Sequence, residues 1–403
     1  MASFLCSTLF LSLIISIVAA QNSLILPIRK DPKTSPHITT FRMGSNRAAI
    51  NAVVDLGGPF LWFSCNDYAS ATYAPIPCGS PKCEAAKGIG CVGCNLPPRP
   101  GCTNDTCGAS PYNPFLDVLV SEGYAEDTFH AKTGAALPDF SFSCMDKEYL
   151  AGLAAGATGM LGLAKTQISL HKQASAKLKL PDTFSLCLPS SGTGKLAIGI
   201  KPKSVKSTPL IINPVSTYPI YTTGDASDEY FIEVKAIAVA GVRLNLKDSY
   251  FSIDRNGVGG TKISTLQNFT AVHNSIYKPL TRAFAKAASD MRIKSSAAVA
   301  PFRACFRSDS IARTAAGPAV PEIDLVLAGK DATTWRMRGA NLMVEIDRKT
   351  TCLGFVDGGS SPRTAVVIGA HQLEENLLEF DLVSSRLRFS ETLLLLNTTC
   401  ARI

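Results

Sequence analysis

The stretch Val53-Val54-Asp55-Leu56-Gly57-Gly58 delivers an acid from a β-branched run into a turn held by two glycines. A carboxylate set this way at the end of a buried strand is placed for acid–base work on a water. That chemistry requires a pair. One ionised carboxylate takes the water's proton, while a second, kept protonated by its neighbour's charge, polarises the carbonyl under attack. Other chemistries find little support. Of the five histidines (His37, His130, His171, His273 and His371), none stands in a recognisable nucleophile motif, and Gly-x-Ser-x-Gly is absent. His371 reads as a structural polar residue. Asp254, with Asn256-Gly257 after it, reads as a turn acid. Cys91-Val-Gly-Cys94 has zinc or redox spacing, but few histidines lie nearby, and a disulfide reading is preferred. No metal or cofactor is expected.

The elements that must position Asp55 are mostly strands. LILPIRK (24–30), AAINAVVDL (48–56), PFLWFSC (59–65), KLAIGI (195–200), FIEVKAIAVAG (231–241), IDLVLAG (323–329), LMVEID (342–347) and AVVIGA (365–370) are short β-rich runs with Gly and Pro between them. That density argues for a mainly β architecture. Two helices are expected, over 169–180 and over 269–290. The second carries Ile276, Leu280 and Phe284 at i, i+4, i+8, and Pro279 either kinks it or marks its start. At 403 residues the chain is long for one core. Residues 201–218, rich in Pro and Ser, divide it into lobes at 21–200 and 219–403. AAINAVVDLGGPF in the first half is echoed by GVGGTKISTLQNF in the second, which suggests two related β lobes around a cleft.

The uncharged apolar run within residues 1–20, ending in Ala19-Ala20, reads as a secretory signal, and no later segment is long enough to span a membrane. Of 13 cysteines, Cys6 lies in that signal. The other twelve (Cys65, Cys78, Cys83, Cys91, Cys94, Cys102, Cys107, Cys144, Cys187, Cys305, Cys352 and Cys400) suit six disulfides made in an oxidising compartment. Asn104, Asn268 and Asn397 head glycosylation sequons. A formal charge of +8 and a pI near 8.8 suit acidic partners or a pectin-rich wall. No basic run interleaved with aromatics is present, which argues against nucleic acid.

The turn at Asp55, together with VVIGAHQLEENLLEFDLVSSRLRFS (366–390), resembles the pepsin-like aspartic proteases of plants. In that family each lobe supplies a hydrophobic-hydrophobic-Asp-Thr/Ser-Gly turn. The resemblance covers nearly all of residues 24–400 and implies a bilobal fold of two six-stranded-barrel-like lobes with a central cleft. It also implies a lost dyad. Leu56 replaces the Thr or Ser that braces the two turns. The second turn aligns as Ile263-Ser264-Thr265-Leu266, with Ser264 in place of the acid and Leu266 in place of the Gly, which suggests a turn of another shape. The flap region has Tyr112 but continues Asn-Pro-Phe-Leu, without a Gly-rich tip.

These departures resemble the plant apoplastic branch that keeps the fold without proteolysis. That branch holds the cereal xylanase inhibitors, the extracellular dermal glycoproteins, the xyloglucan-endoglucanase inhibitors and the basic 7S globulins of legume seeds. Tyr112-Asn113-Pro114, AGPAVPEIDLVL (316–327), CLGFVDGG (352–359) and VVIGAHQLEENLLEFDL (366–382) carry the match. By this resemblance the chain is no enzyme but a secreted inhibitor of microbial cell-wall glycoside hydrolases. Arg313, with Arg307 beside it, is the guanidinium that would meet a hydrolase's carboxylate pair. Inhibitory relatives put Arg or His just before the last Cys; here Asn397 stands in that loop. A non-inhibitory wall or storage glycoprotein binding a peptide or receptor is the alternative, and a residual endopeptidase a second. The resemblance also implies the pairs Cys305–Cys352, Cys187–Cys400 and Cys65–Cys144, and leaves the rest of the 65–107 cluster and the oligomeric state open.

Overall fold

A computed structural model describes residues 23–132, 136–200, 206–219, 225–329 and 333–403. The run read as a signal and residues 201–205 of the connecting stretch lie outside the described residues.

The strand Leu24–Lys30 buries Leu24, Leu26 and Ile28 and turns the residues between them outward, the period-two pattern of a half-covered strand. It begins a six-stranded antiparallel sheet that joins the halves of the chain. From the first half come Leu24–Lys30, Gly194–Ile198 and Thr183–Cys187. From the second come Leu377–Asp381, Arg386–Phe389 and Lys206–Ile211. The seam runs where Thr183–Cys187 pairs with Leu377–Asp381. Over it, Phe184 stacks on Phe380 with ring centroids 4.7 Å apart, and Tyr230 leans on Phe380 at 4.6 Å. The stretch 201–218, read as a connection, therefore contributes a strand of this sheet. Its Pro209 faces Arg386 within the pairing, and Pro and Ser did not prevent strand formation there.

Beyond the sheet the lobes repeat one pattern. Ala48–Asp55 runs parallel to Gly159–Gly162, which lies antiparallel to Trp62–Ser64, which runs parallel to Ala136–Met145. Thr261–Ile263 runs parallel to Val366–Ile368, which lies antiparallel to Thr270–Val272, which runs parallel to Phe355–Asp357. The two sequence echoes thus occupy equivalent places and present their turns toward each other.

The helix Leu170–Leu178 ends on Lys179 in the left-handed region. The longer helix is Asn274–Asp290, shorter at its start than 269–290. His273 caps it by accepting from the Ser275 N–H at 3.0 Å, and Thr270–Val272 is a strand. Pro279 sits inside this helix and does not start it. Ile276, Leu280 and Phe284 are fully buried on its inner face. Among the described residues no helix is long and apolar enough to cross a membrane.

The twelve cysteines form six disulfides: Cys65–Cys144, Cys187–Cys400, Cys305–Cys352, Cys78–Cys91, Cys83–Cys107 and Cys94–Cys102. Cys91 and Cys94 therefore part to different partners. The lobes are also clasped by charge. Lys30 Nζ lies 2.7 Å from Glu374 Oε1, with His37 Nε2 and His371 Nδ1 each 3.6 Å from the same carboxylate.

Candidate functional site

Where the two turns meet, Asp55 Oδ1 accepts the Gly57 N–H at 2.8 Å, and Ser264 Oγ accepts the Leu266 and Gln267 N–H groups at 3.2 Å. The i→i+2 bond is common to both, so the turn at Ser264 keeps its capping pattern despite Leu266, whose φ is not positive. A Cβ at Gly58 would lie 2.7 Å from Asp55 Oδ2, which explains the glycine. The brace is half kept. The Thr265 hydroxyl accepts the Leu56 N–H at 3.1 Å and donates to the Val54 carbonyl at 2.6 Å. Leu56 offers nothing in return. The expectation that the brace is gone holds for Leu56 alone, because the second turn retains its own Thr.

Asp55 lines a cleft of about 550 Å³ together with Ser264, Glu229, Asp228, Lys262, Thr217, Tyr112, Phe115, Tyr218 and Leu266, among others. Burial pushes its carboxyl up to about 6, with Glu229 adding to the rise while the Gly57 N–H opposes it. Glu229 binds Lys262 Nζ at 2.7 Å and the Thr217 hydroxyl at 2.5 Å. Sequence reasoning missed Glu229, Lys262 and Thr265. Only the Thr carried a signal, as the middle residue of the second turn. Ser264 can donate one proton but cannot hold a negative charge, so the water-splitting division of labour between two acids has a single member at these turns. Among the described residues no three His, Cys, Asp or Glu side chains are gathered to hold a metal.

The flap survives without a glycine tip. Tyr112–Asn113 pairs with Val118–Leu119, and Asp117 supplies the left-handed residue at φ 53°. Asn113 anchors its base by donating to the carbonyls of Tyr149 and Ala151. Tyr112 donates to Asp117 at 2.7 Å and meets the edge of Tyr218 at 5.8 Å; Tyr218 in turn donates to the Ser110 carbonyl at 3.2 Å. The flap is thereby tied to the connecting stretch between the lobes.

The structure does assemble a Ser–His–Asp group that spacing did not reveal. His171 Nδ1 lies 2.7 Å from Asp182, and Nε2 lies 2.9 Å from Ser169 Oγ. Its polarity is wrong for catalysis. The Ser169 hydroxyl donates to the Thr166 carbonyl, and Nε2 also faces the Ala164 carbonyl at 3.0 Å. The Ser169 hydroxyl proton is therefore spent on a backbone carbonyl and not offered to the ring. Ser169 is fully buried. His130 meets the Gly44 carbonyl, and Asp254 accepts the Asn256 and Val258 N–H groups as a turn acid.

The candidate partner-binding residues lie away from the cleft turns. Arg313, its side chain 81% exposed, sits in the hairpin Arg313–Thr314/Gly317–Pro318, with its guanidinium 3.8 Å from Glu345. The hairpin is pinned down. Ala316 accepts the Ala340 N–H, Ala319 donates to Ala312, and Gly317, at φ 91°, leaves no room for a Cβ against Ala340. Arg307 is engaged by Asp309 through two bonds of 3.1 and 2.6 Å. Leu393–Leu396 form a 3₁₀ turn, with Leu393 buried and Leu396 exposed, that ends on exposed Asn397 in the left-handed region. Of the other sequons, Asn104 is exposed, and Asn268 is half-buried with its amide donating to the Thr34 carbonyl at 3.3 Å.

Residues 37–200 match the family described as Xylanase inhibitor N-terminal, and residues 229–391 the family described as Xylanase inhibitor C-terminal. A protein of Nicotiana benthamiana called probable aspartic proteinase GIP2 is 42% identical over 99% of this chain and 96% of its own length. Basic 7S globulin of Glycine max is 32% identical over 96% of this chain and 93% of its own length. Among solved structures, that of edgp superposes with a TM-score of 0.92 at 41% identity, covering 95% of this chain and 98% of that one. Soybean basic 7S globulin gives 0.80 at 30% identity, covering 94% and 98%.

Proposed function

This chain belongs to the xylanase-inhibitor family of aspartic-protease-like folds, and from that premise we propose that it is a secreted, non-proteolytic inhibitor of microbial cell-wall glycoside hydrolases of the xyloglucanase or xylanase kind, acting in the plant wall. The observation that carries the reading is the Arg313 hairpin. A guanidinium can bind both carboxylates of a glycosidase cleft through several charge-assisted hydrogen bonds. Here it stands exposed on a hairpin whose backbone is held by a bond from the helix Gly339–Leu342 and another within the loop, so little backbone ordering opposes docking. Arg307, held by Asp309, is the poorer anchor. Ser264 in place of a second acid supports the loss of proteolysis, and six disulfides accord with secretion.

The test is titration of the purified protein against fungal xyloglucanase, xylanase and polygalacturonase. Lack of inhibition at micromolar excess over all three defeats the proposal. One observation favours a second reading, a non-inhibitory wall or storage glycoprotein. Asn397 is uncharged, exposed and inside a sequon, and a glycan on it would obstruct any cleft-plugging role of that loop. Pull-down from wall extracts that recovers a peptide or receptor and no hydrolase would select it.

A further inference from the structure

We propose that the inter-lobe cleft binds a small organic cation, an ammonium carried on an apolar or aromatic body, with Asp55 as its counter-ion. The inference is independent of hydrolase inhibition, whose candidate residues lie on other loops.

Three features of the cleft carry it. Its volume of about 550 Å³ falls in the range of small-molecule sites. Asp55, Asp228 and Glu229 line it with Lys262 as the one cation among the described lining residues, while Asp228 is engaged outside the cleft with Lys165 among the charges near it, which leaves Asp55 as the acid available to a ligand. Lys262 is committed to Glu229 at 2.7 Å. Asp55 is 92% buried, being 8% exposed, and its carboxylate is bonded by backbone N–H groups of its own turn, Gly57 at 2.8 Å. Lys262 acts on Asp55 only through space while its own bond goes to Glu229, and a buried carboxylate gains more from an arriving ammonium than a solvated one does, since the local dielectric is low.

The lining also carries apolar surface. Tyr112, Phe115, Tyr218 and Leu266 are among the lining residues and supply apolar contact for the body of such a ligand, and aromatic rings themselves attract an ammonium. Ser264, whose oxygen already accepts two N–H groups, has its hydroxyl proton free to donate. Tyr218 reaches the flap through the Ser110 carbonyl and the Tyr112 ring, a bridge at the edge of the cleft.

Two sources share this chemistry: a free amine and the amino terminus of a peptide. Calorimetric titration of the full chain with benzylamine, its neutral isostere benzyl alcohol, and phenylalaninamide separates them. At pH 7.5 benzylamine should bind at least tenfold tighter than benzyl alcohol. Because the ligand needs Asp55 ionised, that advantage should shrink roughly tenfold at pH 5, below the carboxyl's value of about 6. Asp55→Asn should abolish the advantage while leaving benzyl alcohol binding unchanged, which also shows that the cleft is intact. Phenylalaninamide binding tighter than benzylamine assigns the site to a peptide amino terminus; weaker binding assigns it to a free amine. Equal affinity for benzylamine and benzyl alcohol overturns the proposal, as does an advantage that survives Asp55→Asn.

Discussion

Leu56 and Thr265, 209 residues apart, are joined by a 3.1 Å hydrogen bond from the Leu56 N–H to the Thr265 hydroxyl, which hands its own proton to the Val54 carbonyl. Both groups are fully buried. One lobe therefore braces the other with a single side chain where a symmetric pair of turns would use two. The chain can retain its lobe geometry with one acid at the centre because this contact does not involve the carboxylate.

The brace predicts a stability loss separable from any chemistry. Thr265→Val keeps the shape, but leaves a buried N–H and a buried carbonyl unpaired. A cost of about 2–4 kcal/mol is expected from two such groups. Denaturant unfolding would measure it. A change below about 0.5 kcal/mol would show that the contact does not hold the lobes.

Asp55 predicts a pH dependence of the opposite sign to ordinary acid unfolding. Burial raises its folded value from 3.8 to about 6. The folded chain thus binds the proton more tightly than the unfolded chain, so the carboxylate's cost grows as pH rises from 3.8 and is complete above 6. The shift corresponds to about 3 kcal/mol at most. Asp55→Asn should raise the melting temperature at pH 7.5 and leave it unchanged near pH 3.5. Equal effects at both pH values would show that Asp55 is not strained by burial.

The clasp at Glu374 works the other way. Burial pushes its carboxyl up, but the His371 bond and the charges of Lys30, His371 and His37 outweigh it and hold it below 4.5. Burial also holds His37 below its ordinary 6.5. Both depressed groups contribute stability that is present above their unfolded values and lost as pH falls through the folded ones. As pH falls below 6.5, and further below 4.5, the protein should therefore lose stability, and Glu374→Gln should flatten the second part of that loss. Lys30→Met, which leaves a buried acid with fewer partners, should cost about 1–3 kcal/mol at neutral pH. Parallel stability–pH curves for the wild type and Glu374→Gln would refute the assignment.

How much of this was legible in the sequence depends on the range of the interaction. The strand runs, the paired turns and Ser264 could be read because β-branched runs and turn residues act locally. The start of the helix at Asn274 was not, since His273 is an unusual cap and Thr270–Val272 was captured by strand pairing. The strand Lys206–Ile211 hid behind Pro and Ser because pairing across the seam, not propensity, makes it. Glu229, Lys262 and the Ser169–His171–Asp182 group come together only through tertiary packing. So do the three short disulfides of the 65–107 cluster, where seven cysteines lie too close in sequence for spacing to discriminate.

We propose the Arg313 hairpin as the surface that meets a hydrolase. The most direct measurement is the dissociation constant of whichever hydrolase the protein inhibits, compared among wild type, Arg313→Ala and Arg307→Ala. Arg313→Ala should lose about 2 kcal/mol or more, roughly thirtyfold, and Arg307→Ala should change affinity within about threefold, its guanidinium being already held by Asp309. Binding that Arg313→Ala leaves intact would contradict it.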